Sequence, residues 1–161
     1  MHGHKVLFVC SGNTCRSPMA VALFRKLLKE NYSGYEDKWE VDSAGLFTIP
    51  DLSASPEAVQ VMQDEGIDLT GHRSKSLQEE TVREAGLIIA MTVAHKQHLV
   101  DMYPWASDKI FTLKELAGED TSPDIRDPFG RGIEAYRESC REIKHNLQLV
   151  LKKILDEAQA P

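Results

Sequence analysis

The sequence lacks the features that mark secreted, membrane and nucleic-acid-binding proteins. It has three cysteines in 161 residues and 25 acidic against 19 basic side chains, a formal net charge of −6. An odd cysteine count without a paired framework suits a reducing cytoplasm, and an acidic chain does not offer the basic surface that nucleic acid requires. No apolar run approaches the roughly 18 residues that span a bilayer, and the short apolar stretch after Lys5 is not a signal peptide. We therefore expect a cytoplasmic protein with neither a membrane nor a nucleic-acid partner.

Strand and helix signals alternate along the chain. A length of 161 residues with 42% hydrophobic content suits one ordinary domain, which we predict to span residues 1–161. Because strands that alternate with helices form parallel sheets covered on both faces, we predict a single-domain, three-layer α/β/α fold with a four-stranded parallel sheet. The predicted strands are 6–9, 39–42, 87–91 and 109–112, with the last at an edge; the predicted helices are 19–31, 55–66, 93–102 and 132–157, and a long loop occupies 117–130.

The segment between the first strand and the first helix carries the chemistry. Cys10 follows the apolar run of residues 6–9, and Arg16 stands six positions later, before a Ser-Pro pair that suits the N-cap and first position of a helix. A loop that leads into a helix N-terminus points N–H groups and the positive end of the helix dipole at its ligand. Gly12 permits the tight turn in which those groups converge. This arrangement suits a doubly negative tetrahedral anion and favours a thiolate at Cys10, so the sequence predicts a phosphate loop that contains its own nucleophile.

Residues 10–18, Cys-Ser-Gly-Asn-Thr-Cys-Arg-Ser-Pro, resemble the phosphate loop of the low-molecular-weight protein tyrosine phosphatases. A C-x5-R pattern alone recurs by chance. Here its place after the first strand, the inner Gly-Asn, the second cysteine beside the arginine and a distant Asp127-Pro128-Phe129 all agree with the family. The resemblance spans nearly the whole chain and implies a small, metal-free, cytoplasmic cysteine phosphatase. It also implies phosphorylated protein substrates, no cofactor and a monomer.

Three residues are the candidates for catalysis. The Cys10 thiolate attacks phosphorus and forms a cysteinyl-phosphate, while the planar fork of Arg16 holds two phosphoryl oxygens through the transition state. Asp127 is the candidate general acid for the departing group, and the proline that follows it restricts its backbone to extended conformations. Asp124 and Asp120 are nearby rivals, but the Asp-Pro-aromatic pattern of the family favours Asp127.

The remaining loop residues and two distant ones have supporting roles. Ser17 caps the helix or, as the resemblance implies, hydrogen-bonds the Cys10 thiolate; the two roles are compatible. Asn13, Ser43 and His72 resemble a hydrogen-bond network that holds the loop open in the family, although Asn13 also tolerates left-handed backbone on its own account. We interpret His72 as structural rather than as an acid or base. The predicted phosphate-binding loop comprises Ser11, Gly12, Asn13, Thr14, Cys15, Arg16 and Ser17.

Two cysteines and two histidines lie outside the three catalytic candidates. Cys15 is either a reserve thiol that forms a reversible disulfide with an oxidised Cys10, as the resemblance implies, or a small buried hydrophobe. Cys140, in the middle of the last predicted helix, is interpreted as core. His95 and His98 are three residues apart on a predicted helix, but no third ligand accompanies them, so we predict no metal.

The residue at position 14 bears on which phosphorylated group is removed. Tyrosine-directed members of the family usually carry a branched aliphatic residue there, whereas Thr14 resembles a bacterial branch of protein arginine phosphatases. A hydroxyl beside the phosphoryl group can orient the attacking water or a phosphoguanidinium nitrogen. Phe129 is expected to form a wall of the cleft, and Gly130 replaces the second aromatic common in tyrosine-directed relatives. We therefore favour phosphoarginine, with phosphotyrosine as the alternative.

Two other classes of protein are less compatible with the sequence. Thioredoxin-linked arsenate reductases share the fold but need further cysteines to relay the disulfide, and this chain has none between Cys15 and Cys140. A phosphate-sensing module would keep the cradle but not the acid. The presence of Cys10, Arg16 and Asp127 together argues against a sensor.

Overall fold

The sheet has four strands, and all of its pairings are parallel. A computed structural model describes residues 4–119 and 122–159. In this part of the chain the strands are β1 (Lys5–Cys10), β2 (Glu40–Gly45), β3 (Leu87–Ala90) and β4 (Ile110–Thr112), in the spatial order β2-β1-β3-β4. The predicted four-stranded parallel sheet and the edge position of the fourth strand are confirmed. The first strand is central, so its carboxyl end is surrounded by the ends of its neighbours.

Helices cover both faces of this sheet. Side chains alternate along β1, so Val6, Phe8 and Cys10 enter one core and Leu7 and Val9 enter the other. The first core receives α1, α2, α5 and α6, and the second receives α3 and α4, which confirms the three-layer arrangement. The helices are α1 (Arg16–Asn31), α2 (Pro56–Asp64), α3 (Glu79–Glu84), α4 (Val93–Met102), α5 (Leu113–Ala117) and α6 (Ile133–Gln159), with 3₁₀ turns at Glu36–Lys38 and Pro104–Lys109.

Several predicted boundaries differ from the structure. The second strand was expected to end at residue 42, but β2 continues to Gly45 because its residues pair in register with all six of β1. Ser43 therefore lies inside the strand. The short helices α3 and α5 were not predicted. The start of α2 is confirmed, with Ser55 as N-cap and Pro56 as its first residue.

The start of the first helix also differs from the prediction. The N-cap is Cys15 and α1 begins at Arg16, so Ser17 is not the cap. The proline occupies the third helical position, where its missing N–H still breaks no helical bond because the first four N–H groups of a helix have no partner within it. Ser17 is thereby left free for other contacts. In the described ranges, no helix combines the length and apolar character needed to cross a bilayer.

Candidate active site

The sulfur of Cys10 lies at the carboxyl end of β1, against the first turn of α1. Cys10 is the last residue of the strand and only 2% exposed. Its Sγ lies 2.9 Å from the Ser17 hydroxyl. The loop therefore joins the end of β1 to the start of α1 at the carboxyl edge of the sheet, which is where ligands bind in parallel sheets.

Asn13 organises the interior of the loop. It is fully buried with a positive φ of 57°, so its backbone is left-handed, as anticipated. Its amide Nδ2 donates to the hydroxyls of Ser17 and Ser43, each at 2.8 Å. Its Oδ1 accepts the backbone N–H of Lys75 at 2.9 Å. The left-handed backbone and the hydrogen-bond network are therefore both present at this residue.

The Asn13 amide also bears on the contact between Ser17 and Cys10. Because Asn13 donates to Ser17 Oγ, the hydroxyl proton of Ser17 is not used in that bond and can be donated to Cys10 Sγ. His72 Nε2 donates to the carbonyl oxygen of Asn13 at 2.7 Å, and burial lowers the pKa of His72. His72 thus supports the loop through the Asn13 carbonyl oxygen, which is a structural contact of the kind predicted for it.

Arg16 is held in place by the loop that joins α5 to α6. It is 4% exposed, and its Nη1 donates to the carbonyl oxygen of Ile125 at 2.8 Å. The Ile125 N–H in turn donates to the carbonyl of Met91 at 2.9 Å, just beyond the end of β3. One edge of the guanidinium is thus anchored, and its Nη2 lies 3.9 Å from Oδ2 of Asp127.

Of the acidic candidates, Asp127 is the carboxylate that lies beside Arg16. Its side chain is 57% exposed, and its Oδ1 accepts the N–H of Phe129 at 3.1 Å, which orients the carboxylate. Asp124 instead accepts the N–H of Val93 at 2.8 Å and tethers the loop to the N-terminus of α4. Asp120, the other rival, lies outside the described residues. Phe129 projects into solvent beside the site, 69% exposed.

The Cys15 thiol is buried and contacts two hydroxyl groups. Its Sγ lies 3.2 Å from the hydroxyl of Tyr136 and 3.4 Å from that of Ser55. Burial, followed by the contact with Cys15, raises the pKa of Tyr136. No disulfide joins the three cysteines. Cys140 is buried on α6, and burial raises its pKa to about 11, as suits the core thiol expected there.

The loop borders a groove lined by both polar and apolar residues. A cavity of about 560 Å³ reaches from the loop to the segment after β2, and Phe47 and Ile49 in that segment are each about two-thirds exposed. Thr14 lies in the wall of this groove. The lining residues are Gly12, Thr14, Phe47, Thr48, Ile49 and Leu52.

The two histidines of α4 have separate partners. His95 Nε2 lies 2.8 Å from the Ser11 hydroxyl, whereas the ring of His98 packs on Phe47 with centroids 4.9 Å apart. Across residues 4–119 and 122–159, no three His, Cys, Asp or Glu side chains gather as a metal ion would need.

Several residues around the loop were not identified from the sequence. Gly45 is one, since a Cβ there would lie 2.8 Å from the carbonyl oxygen of Ser11 and 2.7 Å from Thr48 Cγ2. Tyr136 and Ile125 are others, and both lie far along the chain from the loop. The position of His95 could have been inferred from the strand order. Because β3 pairs directly with β1, the helix that follows β3 begins beside the loop that follows β1.

Known proteins are similar to this chain in both sequence and fold. The family model described as low molecular weight phosphotyrosine protein phosphatase matches residues 5–160. A protein-arginine-phosphatase from Geobacillus stearothermophilus is 41% identical, covering 96% of this chain and 98% of its own. A structure described as a low molecular weight protein tyrosine phosphatase from T. tengcongensis is 43% identical with a TM-score of 0.85, covering 92% and 98% of the two chains.

A further structure captures a modified active site. It is described as the YwlE arginine phosphatase in a cysteine-to-serine mutant with a phosphorylated active-site serine. It is 38% identical to this chain with a TM-score of 0.85, and covers 93% of this chain and 95% of its own. The match of the family model over nearly the whole sequence is decisive: the chain belongs to the low molecular weight phosphotyrosine protein phosphatase family.

Proposed function

We propose that this chain, as one domain over residues 1–161, removes phosphoryl groups from arginine side chains of proteins through a cysteinyl-phosphate on Cys10. The observation that carries the proposal is the Cys10–Arg16 loop with Asp127 at its mouth. A nucleophile, an anion-holding fork and a proton donor converge there, which are the three parts that phosphoryl transfer needs.

In the first step the Cys10 sulfur attacks phosphorus and forms the S–P bond. The P–N bond breaks, its electron pair passes to the guanidine nitrogen, and protonated Asp127 supplies the proton that makes the departing group a guanidinium. Arg16 supports this step because Ile125 fixes one edge of its guanidinium, which leaves the other edge for the phosphoryl oxygens.

In the second step a water molecule attacks the cysteinyl-phosphate. The Asp127 carboxylate takes a proton from that water, and the S–P bond breaks to return the Cys10 thiolate and inorganic phosphate. The Ser17 hydroxyl, which accepts a hydrogen bond from Asn13, donates its own proton to the sulfur and so stabilises the thiolate.

Phosphoarginine is favoured over phosphotyrosine by two positions. Thr14 places a hydroxyl in the wall of the groove, where a phosphoguanidinium nitrogen needs a polar partner. Gly130, with a φ of 75°, follows Phe129 and provides no second ring to grip a phenyl group. The relative named as a protein-arginine-phosphatase supports the same choice. The exposed rings and aliphatic side chains of the groove are what a tyrosine substrate would use, so phosphotyrosine remains the second candidate.

Two further roles belong to the same proposal. Phe129 forms a wall of the substrate cleft, and Cys15 serves as the reserve thiol that rescues an oxidised Cys10 by forming a disulfide. We also propose that the protein acts as a monomer in the cytoplasm, with phosphorylated proteins as its partners.

The test compares two peptides of one sequence that carry either phosphoarginine or phosphotyrosine at the same position. We expect a higher kcat/KM on phosphoarginine and no turnover of either by Cys10→Ser. Thr14→Val deletes the hydroxyl at constant shape, so it should lower the phosphoarginine rate by roughly 10- to 100-fold, whereas Thr14→Ser should retain most of it. A wild-type preference for phosphotyrosine would assign the enzyme to tyrosine, and equal losses on both peptides in Thr14→Val would refute the role of Thr14 in the choice of substrate.

A further inference from the structure

His95 is a buried histidine that the proposed chemistry does not use. It is the third residue of α4, only 7% exposed, and its backbone N–H donates to the Thr92 hydroxyl that caps the helix. Its Nε2 lies 2.8 Å from Oγ of Ser11, the residue directly after the nucleophile. Its Nδ1 is buried and has no hydrogen-bond partner among the residues that the structure describes.

The surroundings keep this imidazole neutral. Burial lowers the pKa of His95 to about 4, and the nearby positive charge of Arg16 acts in the same direction. Asp124 and Asp127 oppose that shift, and His98 adds to it weakly. At neutral pH the ring therefore carries a single N–H, on one of its two nitrogens.

The position of that proton follows from the buried nitrogen without a partner. A buried N–H with no acceptor is among the rarest and most costly polar defects of a folded protein. The proton therefore lies on Nε2, where it has an acceptor, and His95 donates to Ser11 Oγ. The Ser11 hydroxyl then accepts from His95, and its own proton remains available for another group.

Ser11 is fixed on two sides. Its carbonyl oxygen accepts the N–H of Phe47 at 2.9 Å, and its hydroxyl is held by His95. These two hydrogen bonds hold Ser11 in the predicted phosphate-binding loop, directly after Cys10. A hydroxyl held there with an uncommitted proton is suited to donate to a phosphoryl oxygen.

We propose that His95 is a positioning residue, whose donation to Ser11 Oγ turns the Ser11 hydroxyl into an additional hydrogen-bond donor for the bound phosphoryl group. This inference rests on the proposed phosphatase function but not on the choice between arginine and tyrosine. It predicts that His95 acts on the substrate only through Ser11.

The first test measures the inhibition constant of inorganic phosphate and kcat/KM on para-nitrophenyl phosphate, which suits a phosphatase of either specificity. Ser11→Ala and His95→Leu should each weaken phosphate binding by about tenfold, as loss of a hydrogen bond to a charged group does. His95→Gln, which keeps an N–H near the position of Nε2, should restore most of the affinity. The matched control is His145→Gln on α6, whose side chain is 62% exposed, and it should leave both constants unchanged.

The double variant Ser11→Ala/His95→Leu decides between coupling and a general packing effect. It should bind phosphate no more weakly than Ser11→Ala alone, because the first change removes the group through which His95 acts. Additive losses, or an unchanged phosphate constant in Ser11→Ala, would overturn the proposal. Absence of turnover by the wild type would instead contradict the phosphatase function itself.

The second test is independent of activity and of any variant. Nitrogen-15 chemical shifts and couplings of the histidine rings report the tautomer in the wild-type protein at pH 7. We expect His95 to be neutral with its proton on Nε2. A proton on Nδ1, or titration of His95 at the ordinary histidine pKa, would overturn the assignment of the donor and with it the proposal.

Discussion

Asp127→Asn tests acid catalysis by Asp127 while it leaves the hydrogen bond to Phe129 in place. The asparagine keeps an oxygen that can accept the Phe129 N–H, and the lost ion pair with Arg16 is long, at 3.9 Å, with its carboxylate 57% exposed. Arg16 is buried but keeps its hydrogen bond to Ile125, and a pair this long with an exposed carboxylate contributes at most about 1 kcal/mol. The free energy of unfolding should therefore change by less than about 1 kcal/mol. Removal of a general acid lowers the rate by about 10²–10⁴, equivalent to roughly 3–5 kcal/mol of activation free energy.

The assay compares leaving groups that differ in their need for a proton. Guanidine leaves phosphorus only when it is protonated, whereas para-nitrophenolate leaves as a stable anion. For Asp127→Asn, the loss of kcat/KM, which reports the first step and not the later attack of water, should therefore be large on a phosphoarginine peptide and small on para-nitrophenyl phosphate. The control is Asp124→Asn, which can still accept the Val93 N–H and should lower both rates only slightly. Equal losses on the two substrates, or a loss of stability in urea that matches the loss of rate, would refute acid catalysis by Asp127.

Two further substitutions test the packing around the loop and the proposed role of Cys15 as a reserve thiol. Gly45→Ala would place a Cβ 2.8 Å from the Ser11 carbonyl oxygen and should destabilise the protein by about 1–3 kcal/mol with loss of activity; Gly71→Ala, which meets nothing within 4 Å, should do neither, and equal behaviour of the two in urea unfolding would contradict the steric argument. Cys15→Ala should prevent dithiothreitol from restoring activity after mild peroxide treatment, since Cys10 then passes to higher oxidation states. Full recovery in Cys15→Ala would leave Cys15 as core only.

The sheet could be predicted because its signals are local. Strands β1, β3 and β4 are apolar runs bounded by turn residues, and their alternation with helices specifies a parallel sheet. The end of β2 could not be predicted, because Ser43-Ala44-Gly45 has no strand propensity of its own and is extended only by pairing with β1. Helix α5 has five residues, and its single local signal is the capping box of Thr112 and Glu115.

In the candidate site, too, the contacts that are local in sequence could be predicted and the contacts between distant residues could not. Cys10, Arg16 and Ser17 lie within one loop and the helix that it enters, so their spacing alone places them around an anion. The contacts of Arg16 with Ile125 and of Cys15 with Tyr136 span 109 and 121 residues of sequence. They depend on how α6 and the preceding loop pack on α1, and a single sequence carries no signal for that packing.

The most direct test of the central claim is the detection of phosphate on Cys10 during turnover. Wild-type protein is mixed with a phosphoarginine peptide and denatured within a single turnover, and its proteolytic fragments are analysed by mass spectrometry. We predict one phosphoryl group, on the fragment that carries Cys10, that disappears as inorganic phosphate is released. Release of phosphate with no phosphorylated Cys10 at any time, or with the phosphoryl group on another residue, would contradict the account.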